Sequence, residues 1–225
     1  MKILGIIPAR GNSKEIPKKN IVLLDGKPLL AYTINLLKAC KSIDSFVVST
    51  ESDEIAKVAK EYSAPVLKRP DYLSRDDSSV ADVVRHVAHE LPHYKLYVTV
   101  YPTVPLCIPS DVDMAVNKLV NSDYESLVSI VSATIHPYGG YSISGDDLVT
   151  NIENQKIYRR QDMRPLYQAT GGPFIVRKEY LDKLGNNLYT EHKTFFLIPK
   201  ERAIDIDEEI DLKFAEFLLK TNQMH

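Results

Sequence analysis

Residues 6–20 read IIPARGNSKEIPKKN, and the fold is decided there. The apolar run Ile3-Leu4-Gly5-Ile6-Ile7 stops at Pro8, and Arg10, Gly11, Asn12, Ser13, Lys14, Lys18 and Lys19 follow within one short connection. Buried strands of α/β proteins end this way when they deliver a ligand-binding loop. Gly11 and its small neighbours would let backbone N–H groups approach an anion, while Arg10, Lys14 and Lys19 would neutralise phosphate charge. That suits a nucleoside triphosphate. The spacing matches neither GxxxxGK[ST] nor GxGxxG, so the usual kinase and dinucleotide readings lose support. A solvated basic turn is the alternative.

Outward from this loop the chain alternates strand and helix patterns. Pro28 follows turn chemistry at Asp25-Gly26 and opens a helix carrying Leu29, Leu30, Ile34, Leu36 and Leu37 at helical spacing. SFVVST at 45–50 reads as a strand, and Glu51-Ser52-Asp53-Glu54 supplies the cap and first-turn acids of the next helix. Further strands are expected at 65–67, 96–100, 126–132, 172–176 and 194–198, with helices at 80–91, 109–120, 178–184 and 208–220. The pattern predicts one α/β domain over 1–225, built on a mostly parallel Rossmann-like sheet with helices on both faces. Residues 135–168 break the rhythm with paired glycines, several tyrosines and Arg159-Arg160. They are expected to form a protruding arm, lid or contact surface.

Asp205 and Asp207, two apart on an extended segment, would point to the same side and present two carboxylates to one hard cation. The rival reading is that these acids, with Glu208 and Glu209, favour the N-terminus of the last helix through its dipole. A basic loop and a carboxylate pair, both at strand ends of one sheet, would screen a polyphosphate from two sides. His86, His89 and His93 lie on or beside one helix, where surface histidines are commoner than metal ligands. The arm tyrosines Tyr138, Tyr141, Tyr158 and Tyr167 suit a sugar pocket and an oligomer interface equally.

Composition narrows the partners. Lys plus Arg total 28 against 30 for Asp plus Glu, so no chain-wide basic field argues for nucleic acid. The first residues lack a secretory pattern and no segment approaches a membrane span, so a soluble cytoplasmic protein is expected. Cys40 and Cys107 stand alone in sequence, without zinc or redox spacing, and are expected as buried small apolar residues.

With both ends in place, the chain resembles the acylneuraminate cytidylyltransferases, the CMP-sialic acid synthetase family. The likeness rests on IIPARGNSKEIPKKN, VSTESDEIAKVAKEY, RPDYLSRDDSS, the P-T-x-P-L segment at 102–106, RRQDMRPLYQATGGPFIV and AIDIDEEIDLKFAE. It implies a transferase that joins CMP from CTP to the anomeric hydroxyl of a 2-keto-3-deoxy sugar acid and releases pyrophosphate, with Mg²⁺ required. Carried over by residue, it implies that Arg10, Lys14, Lys19 and Asp207 are catalytic. Ala9, Arg10, Gly11, Asn12, Ser13, Asn20, Arg69, Ser78 and Ser79 would hold the nucleotide. Asp205 and Asp207 would ligate Mg²⁺, and Tyr101, Arg160, Gln161 and Gly172 would hold the sugar. It also implies a homodimer whose arm reaches the partner's sugar site, with Arg160 facing the sugar carboxylate.

This chain departs from the family pattern at the sugar end. Sialic and legionaminic acid enzymes usually carry Gln before Pro-Thr-Ser-Pro-Leu-Arg; here Tyr101 precedes Pro102, and Val104 and Cys107 replace the Ser and Arg. ATGGPF replaces the commoner Asn-Gly-Ala segment. RRQDMRPLYQATGG and the tyrosine in VYPTVP lean toward the pseudaminic acid branch and a nine-carbon ulosonic acid other than N-acetylneuraminate. Another sugar nucleotidyltransferase, or an idle nucleotide-binding homologue, remains the rival reading.

Overall fold

The computed structural model describes residues 1–13, 15–75, 77–133, 142–144, 147–149 and 164–221. In chain order its elements are β1 (Ile3–Pro8), β2 (Leu23–Leu24), β3 (Lys27–Pro28), α1 (Leu29–Ala39), β4 (Ser45–Thr50), α2 (Asp53–Glu61), β5 (Val66–Lys68), α3 (Val80–Glu90), β6 (Leu96–Thr99), α4 (Pro109–Val120) and β7 (Ser126–Ser132). The remainder comprises β8 (Ser142–Ser144), β9 (Asp147–Val149), β10 (Tyr167–Ala169), β11 (Phe174–Arg177), β12 (Lys193–Leu197) and α5 (Glu209–Lys220).

An eight-stranded sheet runs β5-β4-β1-β6-β11-β7, with β10 and β12 also paired to β7. β4 and β6 pair in parallel with β1, β5 with β4 and β12 with β7, whereas β11 runs antiparallel to both β6 and β7, and β10 antiparallel to β7. Ser126 pairs with Val176 and Lys193, and Ile130 with Ala169 and Leu197, so β12 takes one side of β7 while β11 and β10 share the other. The sheet is mostly parallel, as the alternating pattern predicts.

Buried strands need apolar residues on both faces, and these strands supply them. Ile3, Ile7, Val48, Val98 and Ile175 pack on one face with α1, α2 and α4, through Leu30, Ile34, Ile55, Val112 and Val116. Leu4, Ile6, Tyr97, Phe174 and Val176 pack on the other with Ala81, Val84 and Val87 of α3. Helix starts follow local chemistry: Ser52 Oγ accepts from Ile55 N at α2, and Ser79 Oγ from Asp82 N at α3.

Two segments differ from expectation. Residues 178–184 do not form an α-helix; Lys178–Lys183 is a 3₁₀ run. Six residues between a strand and Gly185 are too few to offset helix nucleation, and the tighter helix still buries Leu181. The irregular stretch also ends earlier than 168, because Tyr167 and Gln168 belong to β10 of the main sheet. Within it, β8 and β9 pair as a separate two-stranded unit; residues 135–141, 145–146 and 150–163 lie outside the described ones.

From β1 the chain proceeds through β4 to β5, then returns by α3 to β6 on the other flank of β1. The strand order therefore reverses between β1 and β6. A crevice forms at such a switch point, outside the carboxyl ends of the strands.

Candidate active site

A cleft of about 430 Å³ lies at that switch point, lined by Pro8, Arg10, Ser13, Glu15, Lys19, Asn20, Arg69, Val80, Tyr101, Pro102, Thr103 and Asp207. Each wall is delivered by a strand end. β1 delivers Arg10 and Ser13, β5 delivers Arg69, and β6 delivers Tyr101 and Thr103.

The loop after β1 is folded back on itself. Lys18 takes a left-handed conformation (φ 53°) that turns the chain into a 3₁₀ turn at Lys19–Ile21. Asn20, buried within that turn, donates from Nδ2 to the carbonyl of Arg10 at 2.8 Å. Lys19 Nζ lies 2.9 Å from Asp207 Oδ1, so the basic loop meets the acidic segment directly.

The acidic segment is pinned from beneath. Ile206 is fully buried and its N–H donates to the carbonyl of Thr103 at 2.8 Å. With Ile206 turned inward, Asp205 and Asp207 both line a second cavity of about 700 Å³, which Gln168, Lys200 and Phe214 also bound. Asp207 belongs to both cavities. Burial pushes the Asp205 carboxyl above the usual carboxylate range against a hydrogen bond from Thr103, and the neighbouring Asp207 charge pushes the same way. Two carboxylates on one extended segment beside a polyphosphate-sized cleft fit a hard cation such as Mg²⁺, which commonly takes one or two carboxylates and completes its shell with water and phosphate oxygens.

Arg69 is 4% exposed and holds three oxygens: Nη2 donates to the Ser49 carbonyl at 2.6 Å, Nε to Ser49 Oγ at 3.3 Å and Nη1 to the Leu73 carbonyl at 3.4 Å. Burial brings its pKa down to about 10, with Glu51 opposing the shift and Arg10 adding to it. Tyr101 is held by backbone, its N–H donating to the Gly171 carbonyl at 2.9 Å. Burial, followed by the charge of Asp205, raises its phenol pKa. Its ring lies 5.8 Å from that of Phe174.

The cleft thus brings together Arg10, Ser13, Lys19, Asn20, Arg69, Tyr101 and Asp207, and Asp205 stands immediately behind. Other anticipated residues sit elsewhere. Ala9 is wholly buried, and its N–H donates to the Ser49 carbonyl. The Gly11 N–H donates to a Glu51 carboxylate oxygen at 2.5 Å, and Asn12 is exposed at the loop's rim. Ser79 caps α3, while Ser78 donates to the Tyr72 carbonyl and lines a separate groove beside α3. Gly172 has φ 128°, and a Cβ there would lie 2.8 Å from the Thr99 carbonyl, so backbone geometry alone demands glycine. Lys14, Arg160 and Gln161 lie outside the described residues. Glu15, Val80 and Thr103 line the cleft without having been singled out; Glu15 lay inside the IIPARGNSKEIPKKN stretch and Thr103 inside the P-T-x-P-L segment, while Val80 carried only a helical pattern.

A family model described as cytidylyltransferase matches residues 4–225. The chain belongs to the cytidylyltransferase family. It is 30% identical over 226 residues to the N-acylneuraminate cytidylyltransferase of Escherichia coli O18:K1:H7, covering 95% of this chain and 51% of that one, so it spans about half of that relative's length. It is also 30% identical over 230 residues to the pseudaminic acid cytidylyltransferase of Campylobacter jejuni strain 81-176, covering 99% of this chain and 98% of that one. Among solved structures, CMP:2-keto-3-deoxy-manno-octonic acid synthetase, determined in complex with CTP, superposes with a TM-score of 0.77 at 13% identity. That match covers 99% of this chain and all of the other, and establishes likeness of fold.

The back of the cleft in this cytidylyltransferase is tightly packed. A Cβ on Gly171 would lie 2.6 Å from Val104 Cγ1, 3.3 Å from Asp205 Oδ2 and 3.4 Å from Tyr101 Cδ2. Gly171→Ala is expected to lower unfolding free energy by about 1–3 kcal/mol through overpacking. Val104→Ala in the same chain should return most of it, which urea titration of the single and double variants checks. Asp205→Asn is expected to stabilise the metal-free protein. A folded pKa above the unfolded one means that stability falls as pH rises from the ordinary carboxylate range through the raised value. The asparagine variant does not titrate, so its melting temperature in chelator should exceed wild type above that window and converge with it below.

Proposed function

We propose that this chain transfers CMP from CTP to the anomeric hydroxyl of a nonulosonic sugar acid of the sialic or pseudaminic type, releasing pyrophosphate. The observation that carries the reading is the cleft at the β1/β6 switch point, where Arg10, Lys19 and Arg69 form a basic wall and Asp207 stands opposite. Support comes from family membership and from the two relatives' substrates.

In the reaction the acceptor oxygen forms a bond to the α-phosphorus of CTP, the bond from that phosphorus to the β-phosphate bridge oxygen breaks, and the hydroxyl proton passes to solvent. Arg10 and Lys19 would neutralise phosphate oxygens on the loop side. Arg69, fixed by Ser49 and Leu73, would shape the nucleoside end, and Tyr101 would wall the acceptor end. Asp205 and Asp207 would hold Mg²⁺, whose chemistry when bound is to neutralise phosphate charge and make the acceptor hydroxyl more acidic. With those groups in place, no protein nucleophile is required.

The assembly proposed is a homodimer. Phe195, Leu197, Phe214 and Phe217 are each about half exposed or more, an apolar display that a second copy would cover. The compartment proposed is the cytoplasm, which suits two buried free thiols that burial keeps protonated.

The test is pyrophosphate release from CTP and Mg²⁺ against a panel of ulosonic acids, with sedimentation of the same preparation. Release with a nine-carbon acceptor is expected. No release with any acceptor would overturn the reading, and a fully active monomer would overturn the dimer.

A further inference from the structure

Glu51 follows β4 directly, and both of its carboxylate oxygens are taken. Oε1 accepts from the N–H of Gly11 at 2.5 Å, and Oε2 from the hydroxyl of Ser74 at 2.8 Å. Gly11 belongs to the basic loop on the phosphate side of the cleft. Ser74 ends the 3₁₀ turn Asp71–Ser74, whose Leu73 carbonyl holds Arg69. A single side chain therefore ties the two walls of the cleft together.

The charges around it favour the same role. Arg69 is buried, and its hydrogen-bonding partners are neutral oxygens. A buried guanidinium needs a compensating anion, and Glu51 is the carboxylate whose charge acts on it. Arg10 acts on Arg69 with like charge. Before a polyphosphate arrives, these cations repel across a cleft that must stay open. Glu51 holds the loop and the guanidinium against that repulsion. It is not among the residues lining the cleft, so it acts through the groups that do.

We propose that Glu51 is a positioning residue that preorganises the phosphate and nucleoside walls of the cleft for the nucleotide. This rests on the cytidylyltransferase reading of the same site. Ligand affinity is raised when groups are held in place beforehand, and displacement by about 1 Å can lose on the order of 100-fold.

The experiment compares wild type, Glu51→Ala and Glu51→Gln in the full chain, by calorimetric titration with CTP, steady-state turnover and thermal melting. Glu51→Ala should weaken CTP binding by about 10- to 100-fold and raise KM in parallel, while kcat at saturating CTP stays within about threefold. Glu51→Gln keeps one acceptor oxygen, replaces the other with an amide donor and removes the charge, so it should recover part of the affinity. A merely structural role would lower the melting temperature and leave the Kd of the folded protein unchanged; that result overturns the proposal. So does a collapse of kcat at unchanged KM, which would place Glu51 in the chemistry. Should Glu51→Ala fail to fold, Glu51→Gln carries the test, and wild-type affinity in it sinks the charge argument. Wild-type protein that binds no CTP sinks the cytidylyltransferase reading itself, whereas normal wild-type binding with an unchanged Kd in the variants sinks only Glu51.

Discussion

Asp207→Asn is expected to lower kcat/KM by about 10³-fold or more with little loss of stability, because the carboxylate serves the cleft and not the fold. Asp207 is exposed, and its side chain pairs only with Lys19, at 2.9 Å, among the described residues. With the Asp207 carboxylate 73% exposed and the Lys19 side chain 14% exposed, such a half-exposed pair contributes on the order of 1 kcal/mol. The helix it precedes is capped by another residue: Asp211 Oδ2 accepts from the N–H groups of Asp207 and Glu208, at 3.0 and 2.8 Å. The start of α5 therefore survives the substitution. Steady-state kinetics with urea titration of the same preparation separate the two effects. Turnover near wild type would reduce the acid pair to favouring a helix dipole, and a large stability loss would contradict the cap geometry.

That division between Asp207 and Asp211 marks where sequence reading succeeds and where it stops. Strand runs such as 3–7 and 96–100 are legible because each needs apolar residues on both faces, and their periodicity is local. Ser52 and Ser79 announce helix starts for the same local reason. Ser79 caps α3 with a hydroxyl that a ligand contact would also use at the same spacing, so local pattern does not separate the two roles.

The partners of Gly11, Arg69 and Asp111 are set by topology. Glu51 meets Gly11 across 40 residues and Ser74 across 23, because β1 and β4 end side by side. In sequence Glu51 is one acid among three at the start of a helix. The antiparallel insertion of β11 between β6 and β7 is equally hidden, since a buried strand has the same apolar pattern in either direction. Gly171 carries no mark that its missing Cβ makes room for Val104, 67 positions away, and only packing reveals it.

Arg202→Ala is expected to destabilise the fold by about 3–5 kcal/mol at neutral pH, a larger loss than any other single change considered above. Asp111 lies in the first turn of α4 with its side chain at 0% exposure. Arg202 Nε and Nη2 donate to its two oxygens, each at 2.9 Å, and the N–H of Ile108 donates at 3.3 Å. Removing the guanidinium leaves a buried carboxylate without its countercharge. Replacing both partners with apolar residues of similar volume, Asp111→Leu with Arg202→Met, should restore most of the stability, because neither side is then left charged. Urea titrations of the single and double variants at neutral pH decide the matter. A loss below about 1 kcal/mol in the single variant would mean that the Asp111 carboxylate is not held by Arg202. The same pair fixes where the acidic segment leaves the body of the protein, three residues before Asp205. Activity in the single variant should therefore fall further than its folded fraction.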